Sequence, residues 1–210
     1  MTTDPGPDDG VYATTTTHGI YTRRSDHARY DAQAINSVLD EAIIGHVGYV
    51  DDGEPFVVPV IHTRVDGVLY LHTSSGSRLA RLAADGGVTL CVTVSLLEGL
   101  VLARSQVGHN VNYRSVVVRG EGVLLTDETE KQDGLTAVVE HLVAGRSRHS
   151  RPPTADELAG LGLIRMPLDD VALKSRTGPP VDEEDDLGLH HWAGVQEPLV
   201  PLVTSNKLPG

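Results

Sequence analysis

Between Asp31 and Gly45 the apolar residues Ile35, Val38, Leu39, Ala42 and Ile43 recur three and four positions apart, which predicts an amphipathic helix. Asp31 suits its N-cap and Gly45 its stop. The period then falls to two. His46–Val50 and Phe56–Val65 are rich in β-branched residues and flank Asp51-Asp52-Gly53, a hairpin signal. Asp66-Gly67 turns the chain again into Val68–Thr73. Three strands joined by short turns form an antiparallel meander. Pro59 lies inside the second strand and therefore belongs at an edge or a bulge.

Ser77–Ala84 reads as a short helix with Leu79, Leu82 and Ala83 inward. Val88–Ser95, Gly99–Arg104 and Ser115–Leu125 supply three further strands. Glu128–Ala144 is helical, with Leu135, Val138, Val139, Leu142 and Val143 as its apolar stripe. A second helix is expected at Thr154–Leu161. Leu163–Lys174 makes a last strand, broken at Pro167. Six or seven strands with helices outside predict a mainly β fold, a small closed or partly closed barrel. Residues 1–25, with the Thr14–Thr17 run and few apolar anchors, form an expected flexible segment. Residues 26–176 form the domain, and 177–210 a Pro-rich, acidic, irregular tail.

Composition narrows the function. Aromatics are only 4% of the chain, so the core must be Val, Leu, Ile and Ala. The net charge of −12 argues against nucleic acid and anionic lipid as partners. The acidic run Asp182–Asp186 reads as a solvated segment. Cys91 is the single cysteine and lies in a strand, which leaves it a core thiol and excludes an internal disulfide. No apolar run approaches the roughly 20 residues of a membrane helix, and the N-terminus lacks a signal peptide pattern; a cytoplasmic location is the expectation.

Two segments carry candidate chemistry. In His72-Thr73-Ser74-Ser75-Gly76-Ser77-Arg78 a strand gives way, through hydroxyl residues and a glycine, to a helix whose first turn holds an arginine. Free N–H groups, hydroxyl donors and a guanidinium suit a phosphate. A Ser-capped helix with a surface arginine has the same pattern. The second segment, Asn112-Tyr113-Arg114-Ser115, opens a hydrophobic strand with polar groups. It reads equally as a ligand contact or as a strand end in solvent; converging with the first, it would serve one anionic ligand. Ten histidines occur without metal-binding spacing, and no nucleophile elbow is present.

These segments, with Pro59-Val60-Ile61-His62, Gly99–Ser105, Lys174–Pro180 and Trp192–Val195, resemble the pyridoxamine 5'-phosphate oxidase-like split-barrel proteins. The similarity is to the flavin-nucleotide-binding branch related to nitroimidazole-resistance proteins, over about Asp31 to Leu199. The resemblance implies a six-stranded antiparallel split β-barrel, a homodimer and FMN at the subunit interface. By position it assigns Thr73, Ser77 and Arg78, after His72, to the FMN phosphate. The backbone of Val58, Pro59 and Val60 and the side chain of His62 would lie along the isoalloxazine. Asn112, Tyr113, Arg114 and Ser115 would approach from the neighbouring strand, and Lys174, Arg176 and Trp192 would reach the site from the partner subunit. Leu79 stands where the oxidase has a basic residue, and the oxidase's C-terminal substrate arginine has no counterpart, which argues against vitamin B6 oxidation. The expected function is a flavin-dependent oxidoreductase acting on a small organic molecule, with no catalytic residue assigned and no metal. The alternatives are a non-catalytic flavin module, or a haem or deazaflavin protein of the same fold, with His109 the haem ligand by position.

Overall fold

The structure, a computed structural model, describes residues 28–29 and 31–197; the expected flexible segment 1–25 lies outside them. The elements in chain order are β1 (Ala28–Arg29), α1 (Ala32–Glu41), β2 (Ile44–Asp51), β3 (Glu54–Val65), β4 (Val68–Ser74), α2 (Arg78–Ala84) and β5 (Val88–Leu102). They continue with β6 (Asn110–Leu124), α3 (Glu128–Leu142), α4 (Ala155–Gly160), β7 (Leu161–Pro167), β8 (Asp170–Arg176) and β9 (Gly194–Gln196). The fold is mainly β with flanking helices. All strand pairs are antiparallel, and β6-β7-β4-β3-β2-β5 close on themselves through the β5–β6 pairing, a ring of six strands.

Alternation dictates which side chains enter the ring. Val47 and Tyr49, Val60, Leu69 and Leu71, Leu90, Val92 and Val94, Val116 and Val118, and Ile164 and Met166 all point inward into one buried cluster. Helix α1 adds Ala32, Ile35, Val38 and Leu39, each wholly buried. Its N-cap is as expected: the Ala34 N–H donates to the Asp31 carboxylate at 3.0 Å. Gly45 is not its stop. The helix ends at Ala42, leaving Ile43 41% exposed, and Gly45 lies within β2, where an added Cβ would sit 3.3 Å from Val92. The glycine serves close packing inside the ring.

Several sequence boundaries shift for physical reasons. The segments 88–95 and 99–104 are one strand, β5, with a register shift between Leu97 and Gly99 that absorbs the polar Glu98. The polar residues 110–114 belong to β6 because they pair with β5 along their whole length, and from Tyr113 onward β8 pairs with the other edge. The segment 163–174 divides at Leu168 and Asp169 into β7, paired with β4, and β8, paired with β6. Pro59 obeys the edge expectation: β4 pairs only with Ile61–Val65, so one edge of β3 faces no strand at Pro59. Of the α3 stripe, only Val138 is buried, and Leu142 is 39% exposed. Helix α3 is thus apolar over a wider arc than the core covers. The tail is mostly irregular, but β9 binds it to β5 at Leu100–Leu102.

Candidate functional site

The residues alternating with the core build the outer face of β3, β2, β5 and β6. Register places Val57 opposite Gly48 and Pro59 opposite His46. It continues with Gly48 opposite Cys91 and His46 opposite Thr93, then Cys91 opposite Arg119 and Ser95 opposite Ser115. Outward-facing apolar side chains are unusually bare here: Val57 is 67% exposed, Val50 61% and Ile44 54%. An open groove of about 700 Å³ runs along this face, bounded by Tyr49, Phe56, Val57, Val88, Cys91 and Arg119. Its floor includes Gly48, where an added Cβ would lie 3.4 Å from the Cys91 carbonyl oxygen, so bare backbone is presented.

The hydroxyl turn between β4 and α2 is linked to this groove through Arg78. The Ser77 hydroxyl accepts from the Ala80 N–H at 3.0 Å as N-cap of α2, and the Thr73 hydroxyl donates to Ser77 at 3.1 Å. Arg78 leaves the turn and crosses to the β2–β3 hairpin. Its guanidinium stands 4.5 Å over the Phe56 ring and 3.4 Å from the Asp51 carboxylate. Phe56 in turn stacks on Tyr49 at 5.5 Å. A half-exposed cation held over an aromatic at the groove is positioned to meet an anion. Gly162 sets the turn: a Cβ there would lie 2.8 Å from the Ser74 carbonyl and 2.9 Å from the Ser75 nitrogen.

The second polar segment divides between structural and surface roles. Arg114 donates through Nη2 to Glu41 at 2.7 Å and through Nε to Glu98, and these bonds hold its pKa above the usual arginine value. Asn112 is buried; it accepts from Arg176 and donates to the Gly178 carbonyl at 3.1 Å, tying the tail to β6. Ser115 hydrogen-bonds with Ser95 at 2.8 Å on the outer face, with Lys174 opposite it on β8 and Tyr113 two residues earlier on the same side. Arg78 and Arg114 do not converge within the chain. Asp51 ends β2 at the hairpin, whereas Glu98 lies past the other end of that strand, roughly 30 Å away along the strand direction.

Of the residues assigned to the isoalloxazine by resemblance, Val58–Val60 were assigned through their backbone, and there Pro59 faces out while the Val60 side chain points into the ring. The His62 side chain also points inward, away from the outer face. His62 is wholly buried; its Nε2 lies 3.1 Å from the Leu39 carbonyl, and its ring is 5.7 Å from that of His141. Burial pushes its pKa down to about 4, so the ring is neutral and Nε2–H donates. His72 is half-buried on β4, and desolvation lowers its pKa too. Trp192 is 66% exposed and lies across Gly194 just before β9. His109 follows the β5–β6 connection, with Nδ1 3.0 Å from the Ser105 carbonyl. Among the described residues no group of three or more His, Cys, Asp or Glu is placed to hold a metal ion. Sequence reasoning missed Gly48, Tyr49, Phe56, Cys91 and Arg119. For Gly48, Cys91 and Arg119 the signal was the period-two alternation that turns them away from the core, so that Cys91, expected as a core thiol, faces out; Tyr49 and Phe56 have the inward parity and border the groove near the hairpin.

This combination of a closed antiparallel ring, a hydroxyl turn ahead of α2 and an open outer groove matches a known class. The sequence pattern of the pyridoxamine 5'-phosphate oxidase family matches residues 31–175, and the chain belongs to that family. Among solved structures it is similar to the flavocytochrome Anf3 from Azotobacter vinelandii, at 34% identity over 93% of this chain and 91% of that one, with a TM-score of 0.83. It is also similar to the FAD and heme binding protein from Mycobacterium smegmatis, at 28% identity over 87% of this chain and 94% of that one, TM-score 0.78. A nitroimidazole resistance protein homologue from Bacteroides thetaiotaomicron shares the fold at 23% identity over 70% of this chain and 85% of that one, TM-score 0.59. No curated protein sequence matches.

Proposed function

We propose that this protein binds a flavin nucleotide, read from the sequence as FMN, on the outer face of the β3-β2-β5-β6 sheet. The observation that carries the reading is the groove itself: apolar walls, a flat glycine floor at Gly48, and Arg78 at its rim beside the Thr73–Ser77 hydroxyl turn. Thr73, Ser77 and Arg78 would hold the phosphate. Pro59, Gly48 and Cys91 offer the flat surface against a planar ring. When bound, the flavin supplies hydride and single-electron chemistry, and the protein orients it. The reading extends to an oxidoreductase of a small organic molecule, in keeping with relatives that bind flavin and haem.

The same face favours a homodimer. Ile44, Val50, Val57 and Leu97 form an exposed apolar surface of the kind that marks an interface. Purified protein is expected to be yellow, with absorbance near about 450 nm, and to elute as a dimer. Reduction of the bound flavin by NADH or NADPH separates an oxidoreductase from a passive flavin carrier.

A haem reading rests on His109. With Nδ1–H donating to the Ser105 carbonyl, Nε2 is left as the ligating nitrogen, the arrangement seen around metal-bound histidines. Val107, 94% exposed, gives the same loop an apolar surface. The match to the flavocytochrome, at 93% of the chain, also reaches past residue 175 into the tail. A Soret band that His109→Ala removes supports this reading; a flavin spectrum alone counts against it.

A further inference from the structure

The face that α3 turns to the ring of strands is not its apolar stripe. Lys131, Gly134 and Val138 are its buried residues, and His141 follows three positions later on the same face. A Cβ on Gly134 would lie 2.4 Å from the Leu163 side chain, so the helix sits tight against β7 there. Val138 shares its buried cluster only with Leu125 and Leu163. With so little apolar burial, α3 belongs to the weakly seated parts of the fold, and polar bonds fasten its two ends. The Lys131 ammonium donates to the Leu158 carbonyl at 2.6 Å, and His141 Nε2 lies 2.8 Å from the Ala42 carbonyl.

The second of these bonds closes the end of α1. Carbonyls in the last turn of a helix have no partner within it, and α1 has no basic residue there. Two imidazoles serve instead: His62 from β3 reaches the Leu39 carbonyl at 3.1 Å, and His141 reaches that of Ala42. Their rings are 5.7 Å apart. Each turns Nε2 to an acceptor, so Nε2 carries the hydrogen and a further proton must add at Nδ1. In His62 that atom is buried and has no hydrogen-bond partner among the described residues. A Cβ on Gly45 would lie 3.5 Å from it, beside the Val92 and Val94 methyls.

The nearby carboxylates are already engaged. Asp40 on α1 is held by the Arg64 guanidinium and Glu41 by Arg114, while Glu140 on α3 accepts from the Gly145 and Ser147 N–H groups. From β2 and β5 only Gly45, Val92 and Val94 face the ring nitrogen. Burial, reinforced by His141, pushes the His62 pKa down to about 4.

We infer that His62 and His141 form an acid-released clasp, which binds α3 to the end of α1 at neutral pH and lets α3 lift away in mild acid while the six-stranded ring persists. A proton on His62 leaves a buried N–H without an acceptor and sets a charge beside His141. Lifting α3 takes His141 away and gives His62 water. It uncovers Leu125 and Leu163 with the half-buried Ile61 and Tyr70. The clasp uses no residue of the flavin groove.

Amide hydrogen exchange on the full-length protein at pH 7 and pH 5, expressed as protection factors, tests this. For a group that titrates at about 4 when clasped and at its ordinary 6.5 when released, the opening constant rises roughly 20-fold between those two pH values. Amides from Lys131 to Leu142, and that of Ala42, should lose protection by about that factor, whereas those of Val92, Val94, Val116 and Val118 should not. His62→Gln, which keeps an uncharged donor, should abolish the difference between the two pH values. His141→Ala, at a half-buried position, should lower α3 protection at least threefold already at pH 7. Protection of α3 that does not change with pH, an equal loss in α3 and in β5 and β6, or a 20-fold change retained in the His62→Gln protein would each overturn the proposal. Should His62→Gln fail to fold, the wild-type comparison of α3 with β5 and β6 decides by itself.

Discussion

Replacing Arg78 with alanine separates cofactor binding from folding. In the free protein the guanidinium has a cation–π contact with Phe56 and a 3.4 Å approach to Asp51, and its side chain is about half exposed. At such exposure the first is worth about 0.5–1 kcal/mol and the second between 0 and about 1. The variant should therefore lose only about 1 kcal/mol of stability, which for a chain of this size lowers Tm by roughly 2–4 °C. Binding should suffer more. A hydrogen bond to a charged group contributes about 1.5–3 kcal/mol, or roughly 10- to 150-fold in Kd. Because Arg78 gives up part of its Asp51 contact on meeting a phosphate, the lower half of that range is expected. Asp51→Asn removes the competitor and should leave binding equal or slightly tighter. Quenching of FMN fluorescence on titration with apoprotein measures both. A folded Arg78→Ala protein with affinity within threefold of wild type would refute the phosphate assignment.

Other residues give independent checks. His62 has a folded pKa of about 4 against 6.5 unfolded, so between those values the unfolded chain binds the extra proton and stability falls as pH drops. The loss approaches about 3 kcal/mol by pH 4 and is absent above pH 7; urea unfolding of wild type and His62→Leu should diverge in slope over that window, and parallel curves would count against a buried neutral imidazole. Gly162→Ala forces a Cβ against the Ser74–Ser75 backbone. It should cost about 1–3 kcal/mol and weaken flavin binding through the displaced turn, whereas unchanged affinity would detach that turn from the cofactor. Asp182 accepts from the Arg104 backbone N–H at 2.8 Å and from its guanidinium, and so latches the tail beneath the β5–β6 connection. Asp182→Ala should hasten limited proteolysis within residues 177–189, with β6 still protected; equal cleavage rates would mean that the latch is dispensable.

Much of the fold was legible because burial imposes simple periods. The 3.6-residue spacing from Ile35 to Ala42 and the Asp31 cap gave α1, and alternation with Asp-Gly turns gave β2, β3 and β4. Pairing partners were not legible: that β5 and β6 close the ring, and that 163–174 splits between two neighbours, depends on contacts distant in sequence. The candidate site was legible in its short motifs. Thr73, Ser77 and Arg78 stand out because turn chemistry is local. Gly48, Phe56 and Arg119 do not, since a groove arises only when four strands are set side by side. His62 misled for the same reason: a histidine on a strand gives no sign of which face it occupies, and here alternation turns it inward onto the Leu39 carbonyl. Arg114, which reads equally as a ligand contact or a solvent-facing strand end, is held by Glu41 and Glu98, pairings that come from elements distant in sequence.

The central claim is that the outer groove holds a flavin nucleotide. Acid or heat release of whatever the purified protein carries, followed by mass identification, tests it most directly. The expected product is a flavin nucleotide, FMN, released from a protein that is yellow beforehand. A colourless protein that releases no flavin, and takes up neither FMN nor FAD when they are added, would contradict it.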